Sequence, residues 1–178
     1  QQRNTRQTIS EGIDMAKRLH ERAAKSNAEL VIYISMGFGN PYGEPYHIDQ
    51  VLAIAQTLQA MGVQIISLAD TVGLATPSQI ADLVKSCRAE FSTIEWGVHL
   101  HARPEGQQEK IDAAYKSGCR RFDGAIGGQG GCPFAEDELV GNIDTGSLIR
   151  YFKEQDPTFG VAADRYENAV QLTQTIFS

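Results

Sequence analysis

Apolar runs separated by segments of helical period, at roughly 30-residue spacing, predict an α/β protein built on a parallel sheet. The candidate strands are "LVIYISMGF", "VQIISLAD", "IEWGVHLH" and "CRRFDGAI", each followed by loop-forming residues and then a helical pattern. Because every strand leads into a helix, successive strands are expected to be joined by right-handed crossovers and to run parallel. Two architectures satisfy this pattern, a doubly wound sheet and a (β/α)8 barrel. Four βα units make half of such a barrel, which typically takes ~250 residues, against 178 here.

Each element follows from its residues. Thr8 and Glu11 form a capping-box signal, and Ile9, Ile13, Ala16, Leu19 and Ala23 keep helical spacing to about Ala24. "LVIYISMGF" lacks polar alternation, as expected of a strand covered on both faces, and "GNPYGEPY" after it is a turn-rich loop. Ile48, Val51, Leu52, Ala55 and Leu58 mark the second helix, ended by Gly62. "VQIISLAD" is the second strand, carrying Asp70 at its carboxyl end. Thr76 and Pro77 start a third helix, with Ile80, Leu83, Val84 and Cys87 on one face. "IEWGVHLH" is the third strand; a helix from about Pro104 to Lys116, closed by Gly118, leads to "CRRFDGAI" as the fourth. Two helices, about Thr145 to Gln155 and Ala162 to Phe177, complete the chain, and no linker or low-complexity tract divides residues 1–178.

Composition excludes several function classes. With 42% hydrophobic and 21% charged residues the chain can bury a core. Twenty-two acidic residues against 16 basic ones, with no basic run interleaved with aromatics, argue against a nucleic-acid partner. Apolar runs such as "ELVIYISMGF" stop well short of the roughly 18 residues of a membrane span, and "QQRNTRQ" lacks a signal-peptide core. No membrane partner is expected. Cys87, Cys119 and Cys132, at unrelated spacings, imply neither a disulfide framework nor a CxxC zinc site, so a reducing compartment is expected. The cytoplasm fits, with the mitochondrial matrix as a eukaryotic alternative.

The chemistry concentrates at strand ends. In "GVHLHAR", His99 and His101 occupy positions i and i+2, so in a strand they share a face. Neighbouring imidazoles are costly to bury without partners and are well used by a divalent metal, although the same pattern suits two half-exposed histidines. His20 and His47 fall in or next to helices and are expected to face solvent. The remaining ligands would then be oxygen or amide donors, which favours octahedral Mg2+ or Mn2+ over closed tetrahedral zinc. Asn142 in "GN" is one candidate, with a turn or cap as the alternative. Asp70, and less so Asp123, end strands where active sites of both architectures lie; each could equally be a turn carboxylate.

The glycine run "DGAIGGQGGCPFA" can close over a pocket and let a ligand approach its backbone, which makes Gly128, Gly130 and Gly131 binding candidates. It contains neither GxGxxG nor GxxxxGK[ST], so a nucleotide site is not indicated. Cys132 at its end is either an inert small hydrophobe or a reactive thiol. With an ordinary thiol pKa near 8.5 it is better equipped to donate a proton than to attack. Cys87 and Cys119 are read as inert.

"ISLADTVGLATP", "GVHLHAR" and "GGQGGCPFA" with the later "GN", in this order on consecutive strands, resemble the carboxyl-terminal half of the HMG-CoA lyase family, metal-dependent lyases on a TIM barrel. The resemblance runs from about Asn4 to the end. Related Claisen-condensing synthases share HxH and the GN position but not the cysteine loop. What the resemblance implies is a (β/α)8 fold, a divalent cation on His99, His101 and Asn142, Cys132 as catalytic proton donor and Asp70 as a catalytic strand-end carboxylate. The implied reaction cleaves a 3-hydroxy-3-methylglutaryl-CoA-like thioester into acetoacetate and acetyl-CoA, with an acyl-CoA substrate and a homo-oligomeric enzyme.

Three positions depart from the family's pattern. Ala102 and Arg103 follow the second histidine where an aspartate is usual, and Gly146 stands where a glutamate is usual. The family's acidic ligand, with its neighbouring arginine, belongs to a first barrel strand that is not among residues 1–178. Two readings stay open beside the lyase: a related aldolase or Claisen-type enzyme on another hydroxy or 2-oxo acid, and a catalytically silent fragment or subunit. Four units alone would leave sheet edges unpaired, so the other half of the barrel is expected in the same or another chain.

Overall fold

The structure, a computed structural model, describes residues 7–131 and 140–176. The predicted capping box opens helix α1 (Ile9–Ser26): the Thr8 hydroxyl accepts the Glu11 N–H, and the Glu11 carboxylate accepts the Thr8 N–H at 2.7 Å. The order continues β1 (Val31–Ile34), α2 (Ile48–Ala60), β2 (Ile65–Ala69), α3 (Pro77–Glu90), β3 (Glu95–His99) and β4 (His101–Ala102). Then come α4 (Gln107–Lys116), β5 (Arg121–Phe122), β6 (Gly141–Asn142), α5 (Thr145–Gln155) and α6 (Ala163–Ile176). Thr76 caps α3 with a second capping box through Gln79. No described helix is long and apolar enough to cross a membrane.

The sheet decides between the two predicted architectures. Four parallel strands lie in the order β1, β2, β3, β5, with Val31 opposite Ile65, Ile65 opposite Glu95 and Gly97 opposite Arg121. A doubly wound sheet reverses its growth at a switch point, so that helices cover both faces. Here each new strand joins the same edge, and right-handed crossovers put successive helices on one face. That is the winding of a (β/α)8 barrel, of which this is a part. A parallel bridge between Ala125 and Asp144 carries the growth past β5.

The core lies between β2, β3 and their covering helices, with Leu58, Ile66, Leu68, Leu83, Val98 and Ile111 almost fully buried. Each such side chain contributes about 1.5–3 kcal/mol by burial. β2 is buried along its whole length, as its uninterrupted apolar sequence predicts. At the other extreme, among the described residues β1 is a sheet edge paired only with β2; Tyr33 on it and Ile9 and Leu19 of α1 are exposed.

Two predicted strands differ from what is observed. "IEWGVHLH" divides at Leu100: β3 stays in the parallel sheet, whereas β4 turns to an antiparallel pairing of His101 with Asn142. "CRRFDGAI" shortens to Arg121–Phe122, because after the Asp123 N–H bonds the Val98 carbonyl the chain leaves β3 and pairs Ala125 with Asp144. The helix predicted from Pro104 begins as a 3₁₀ turn at Pro104–Gly106.

A candidate metal centre at the strand ends

His99 ends β3 and His101 begins β4, with ring centres 5.0 Å apart and planes at 85°. His101 is buried, and its Nδ1–H donates to the Asp70 carbonyl at 2.9 Å. That bond leaves Nε2 as the lone-pair nitrogen, and it faces the Asn142 Oδ1 at 2.9 Å. The Asn142 amide is itself oriented, since its Nδ2 donates to the Gln129 carbonyl at 2.8 Å. Two acceptors therefore face each other. Turning the amide over only moves the conflict to the Gln129 carbonyl.

The contact is satisfied when a positive charge, a proton or a metal ion, lies between nitrogen and oxygen. Neighbouring ligands of an octahedral ion with bonds of about 2.0–2.1 Å are about 2.9 Å apart. The donors present thus fit a hard divalent cation, and the Nδ1–H to carbonyl bond is the usual way of fixing the tautomer of a metal-binding histidine. Among the described residues no group of three or more His, Cys, Asp or Glu side chains could hold a metal. The donor set here is two imidazoles and an amide.

His99 is less enclosed. Its Nδ1 lies 3.5 Å from the Asp123 Oδ2, both side chains being about one-third exposed. Burial raises the Asp123 carboxyl, but contacts from His99 and Tyr33 outweigh it and hold the carboxyl below its usual range. A carboxylate on one ring nitrogen orients the imidazole and makes the other nitrogen a better ligand. Tyr33 meets the His99 ring edge-on at 6.0 Å.

Asp70 sits differently from a strand-end catalytic carboxylate. Its side chain is 2% exposed; Oδ1 accepts the Ala75 N–H at 3.1 Å, and Oδ2 pairs with the Lys110 ammonium at 2.8 Å. The carboxylate is thus the turn-holding group of the alternative reading, and it is the Asp70 carbonyl that touches the site. Lys110 was not singled out from sequence. The available signal was a lysine at i−4 to Ala114, on the buried face of α4. Gln107, also unforeseen, brackets β6: its amide donates to the Asn142 carbonyl at 3.4 Å and accepts the Asp144 N–H at 3.2 Å.

The described part of the glycine run packs on Asn142. The Asn142 N–H donates to the Gly130 carbonyl at 3.3 Å, and a Cβ on Gly130, whose φ is +82°, would come 3.1 Å from Asn142 Nδ2. Gly128 and Gly131 approach the Asn142 and Val140 carbonyls equally closely. Cys132 lies outside the described residues.

Asp144, not Asn142, caps α5, accepting from the Ser147 N–H. At Gly146 a Cβ would meet the Tyr166 hydroxyl at 2.6 Å, so a tyrosine of α6 occupies the space beside this glycine. Ala102 is buried. His47 is exposed as expected, but His20 is partly covered, its ring lying over Gly62. Burial pushes the thiols of Cys87 and Cys119 up to about 12 and about 11, in keeping with inert core residues.

A family model described as HMGL-like matches residues 1–175. Hydroxymethylglutaryl-CoA lyase YngG of Bacillus subtilis is 28% identical over 169 residues, which cover 95% of this chain and 56% of that protein. (R)-citramalyl-CoA lyase of Chloroflexus aurantiacus is 32% identical over 149 residues, covering 84% and 47%. The solved structure of an HMG-CoA lyase from Acinetobacter baumannii, in complex with coenzyme A and 3-methylmalate, matches with a TM-score of 0.83 at 28% identity, over 98% of this chain and 56% of that one. The chain spans about half the length of the curated relatives it matches.

Proposed function

We propose, because this chain belongs to the HMGL-like family, that the complete protein is a divalent-metal-dependent carbon–carbon lyase acting on a CoA thioester. The substrate is of the 3-hydroxy-3-methylglutaryl-CoA type and the products are acetoacetate and acetyl-CoA. The observation that carries the metal reading is the 2.9 Å contact of His101 Nε2 with Asn142 Oδ1, two acceptors oriented by bonds to the Asp70 and Gln129 carbonyls. His99, His101 and Asn142 would hold Mg2+ or Mn2+. The lyase relatives and the neighbour with coenzyme A support the substrate class.

When bound, the cation supplies a Lewis acid that lowers the pKa of the substrate's tertiary hydroxyl. A base takes the hydroxyl proton, the oxygen forms a carbonyl, and the electrons of the breaking carbon–carbon bond pass to the acetyl-CoA enolate. Cys132, following the glycine run, gives its S–H proton to the enolate carbon. Asp70 and Asp123 act by placing His101 and His99. The other half of the barrel, in the same or another chain, pairs with β1; its open edge and the half-length match to relatives support this.

The 32% identity to a citramalyl-CoA lyase favours a second substrate, a hydroxy acid releasing pyruvate in place of acetoacetate. Incubating the complete protein with each thioester and Mn2+, and following acetyl-CoA and the keto acid, tests both. Metal-dependent release is expected, and Cys132→Ala is expected to slow it about 10²–10⁴-fold with thioester binding kept. No release from either thioester, or release unchanged by chelator, ends the lyase reading. A complete protein that binds no divalent ion is the silent subunit.

A further inference from the structure

Lys110 extends from α4 and sets its ammonium among three oxygens: the Asp70 carboxylate at 2.8 Å, the Gly73 carbonyl at 3.0 Å and the His101 carbonyl at 2.7 Å. All three of its donors are used. The oxygens belong to two segments that no strand ladder joins, the turn after β2 and the short strand β4, which pairs with β6. The same turn presents the Asp70 carbonyl to the Nδ1–H of His101. Asp70 is therefore gripped at both ends, its carboxylate by Lys110 and Ala75 and its carbonyl by the histidine.

We propose that Lys110 is a positioning residue that aims His101 at the cation, by locking the turn that carries the ring's hydrogen-bond acceptor to the strand that carries the ring's backbone. The proposal rests on the metal reading above. Fold stability alone does not call for charge here, because well-packed apolar side chains in place of a buried ion pair are often neutral or stabilising. An apolar pair cannot, however, satisfy the Gly73 and His101 carbonyls, and it would leave the turn held to this strand end by the Asp70 N–H to His99 carbonyl bond and by the His101 ring itself.

Mn2+ binding to the complete protein, followed by electron paramagnetic resonance and paired with thermal melts, tests this with Lys110→Met and with Asp70→Asn/Lys110→Met. The single variant strands a buried carboxylate and is expected to melt lower and to bind Mn2+ about 10–100-fold more weakly, the usual effect of removing a metal site's outer partner. The double variant removes that carboxylate and keeps an acceptor for Ala75, so most of the melting temperature returns while the affinity stays low. A double variant that melts near wild type and binds Mn2+ within about twofold of it, the scale of independent effects, overturns the proposal. Wild-type protein that binds no Mn2+ is a separate failure, that of the metal reading, and is seen before any variant is made.

Discussion

His101 and Asn142 meet across 2.9 Å, yet they are held by different means. Behind His101 stands a buried ion pair, with Asp70 and Lys110 only 2% and 10% exposed, and every polar atom of that ammonium is bonded to an oxygen. Behind Asn142 stand neutral backbone groups, the carbonyls of Gln129 and Gly130, on a stretch rich in glycine. Displacing the first flank strands a charge in a low-dielectric interior, which costs several kcal/mol. Displacing the second exchanges a few neutral hydrogen bonds, each worth about 0.5–1.5 kcal/mol, for bonds to water. One side of the site thus presents a fixed imidazole, and the other an amide that can adjust as a ligand enters.

Substitutions on each flank break or sharpen that contrast. Asp70→Ala leaves Lys110 buried without its counter-charge and is expected to lower stability by about 3–5 kcal/mol; a urea midpoint close to wild type would show that the ion pair does not stiffen this flank. Gly141→Ala puts a Cβ 2.9 Å from the Gly128 carbonyl. Either the glycine run or β6 must give, for about 1–3 kcal/mol in the same denaturation experiment. Gly130→Ala forces a side chain onto a φ of +82°, for about 1–2 kcal/mol. Both glycine variants should alter thioester turnover more than Mn2+ affinity, in the reverse order to Lys110→Met. Thr8→Ala, at the start of α1 and bonded to none of the flank residues, removes a capping box for about 1 kcal/mol and should leave Mn2+ affinity unchanged. A change in affinity there would mean that any loss of stability weakens the site.

Much of the fold was legible in the residues. Thr8 with Glu11 and Thr76 with Pro77 announced two helix starts; the structure has both, each with a reciprocal capping box, the second through Gln79. Such signals work because donor and acceptor lie three residues apart. The choice of barrel over doubly wound sheet was not available from spacing, since both use the same βα units; motif resemblance favoured the barrel, and strand order decided it. The division of the third strand at Leu100 was also hidden: an apolar run reads alike whether its neighbour changes or not.

In the site, the neighbouring imidazoles followed from i, i+2 spacing, whereas the role of Asp70 did not. A carboxylate at a strand end has the same sequence signature whether it faces substrate or a lysine 40 residues later. Gly146 appeared only as a departure, until Tyr166 was found beside it.

By itself the sequence determined where the helices and the main strands fall, which faces they bury, and which donors stand at the strand ends, because periodicity and capping act over a few residues. Only the tertiary structure decided that His101 meets Asn142 from 41 positions away, and that Lys110 crosses from its helix to Asp70. Those pairings depend on the curvature of the sheet and on where β4 leaves it, which no local pattern of residues encodes.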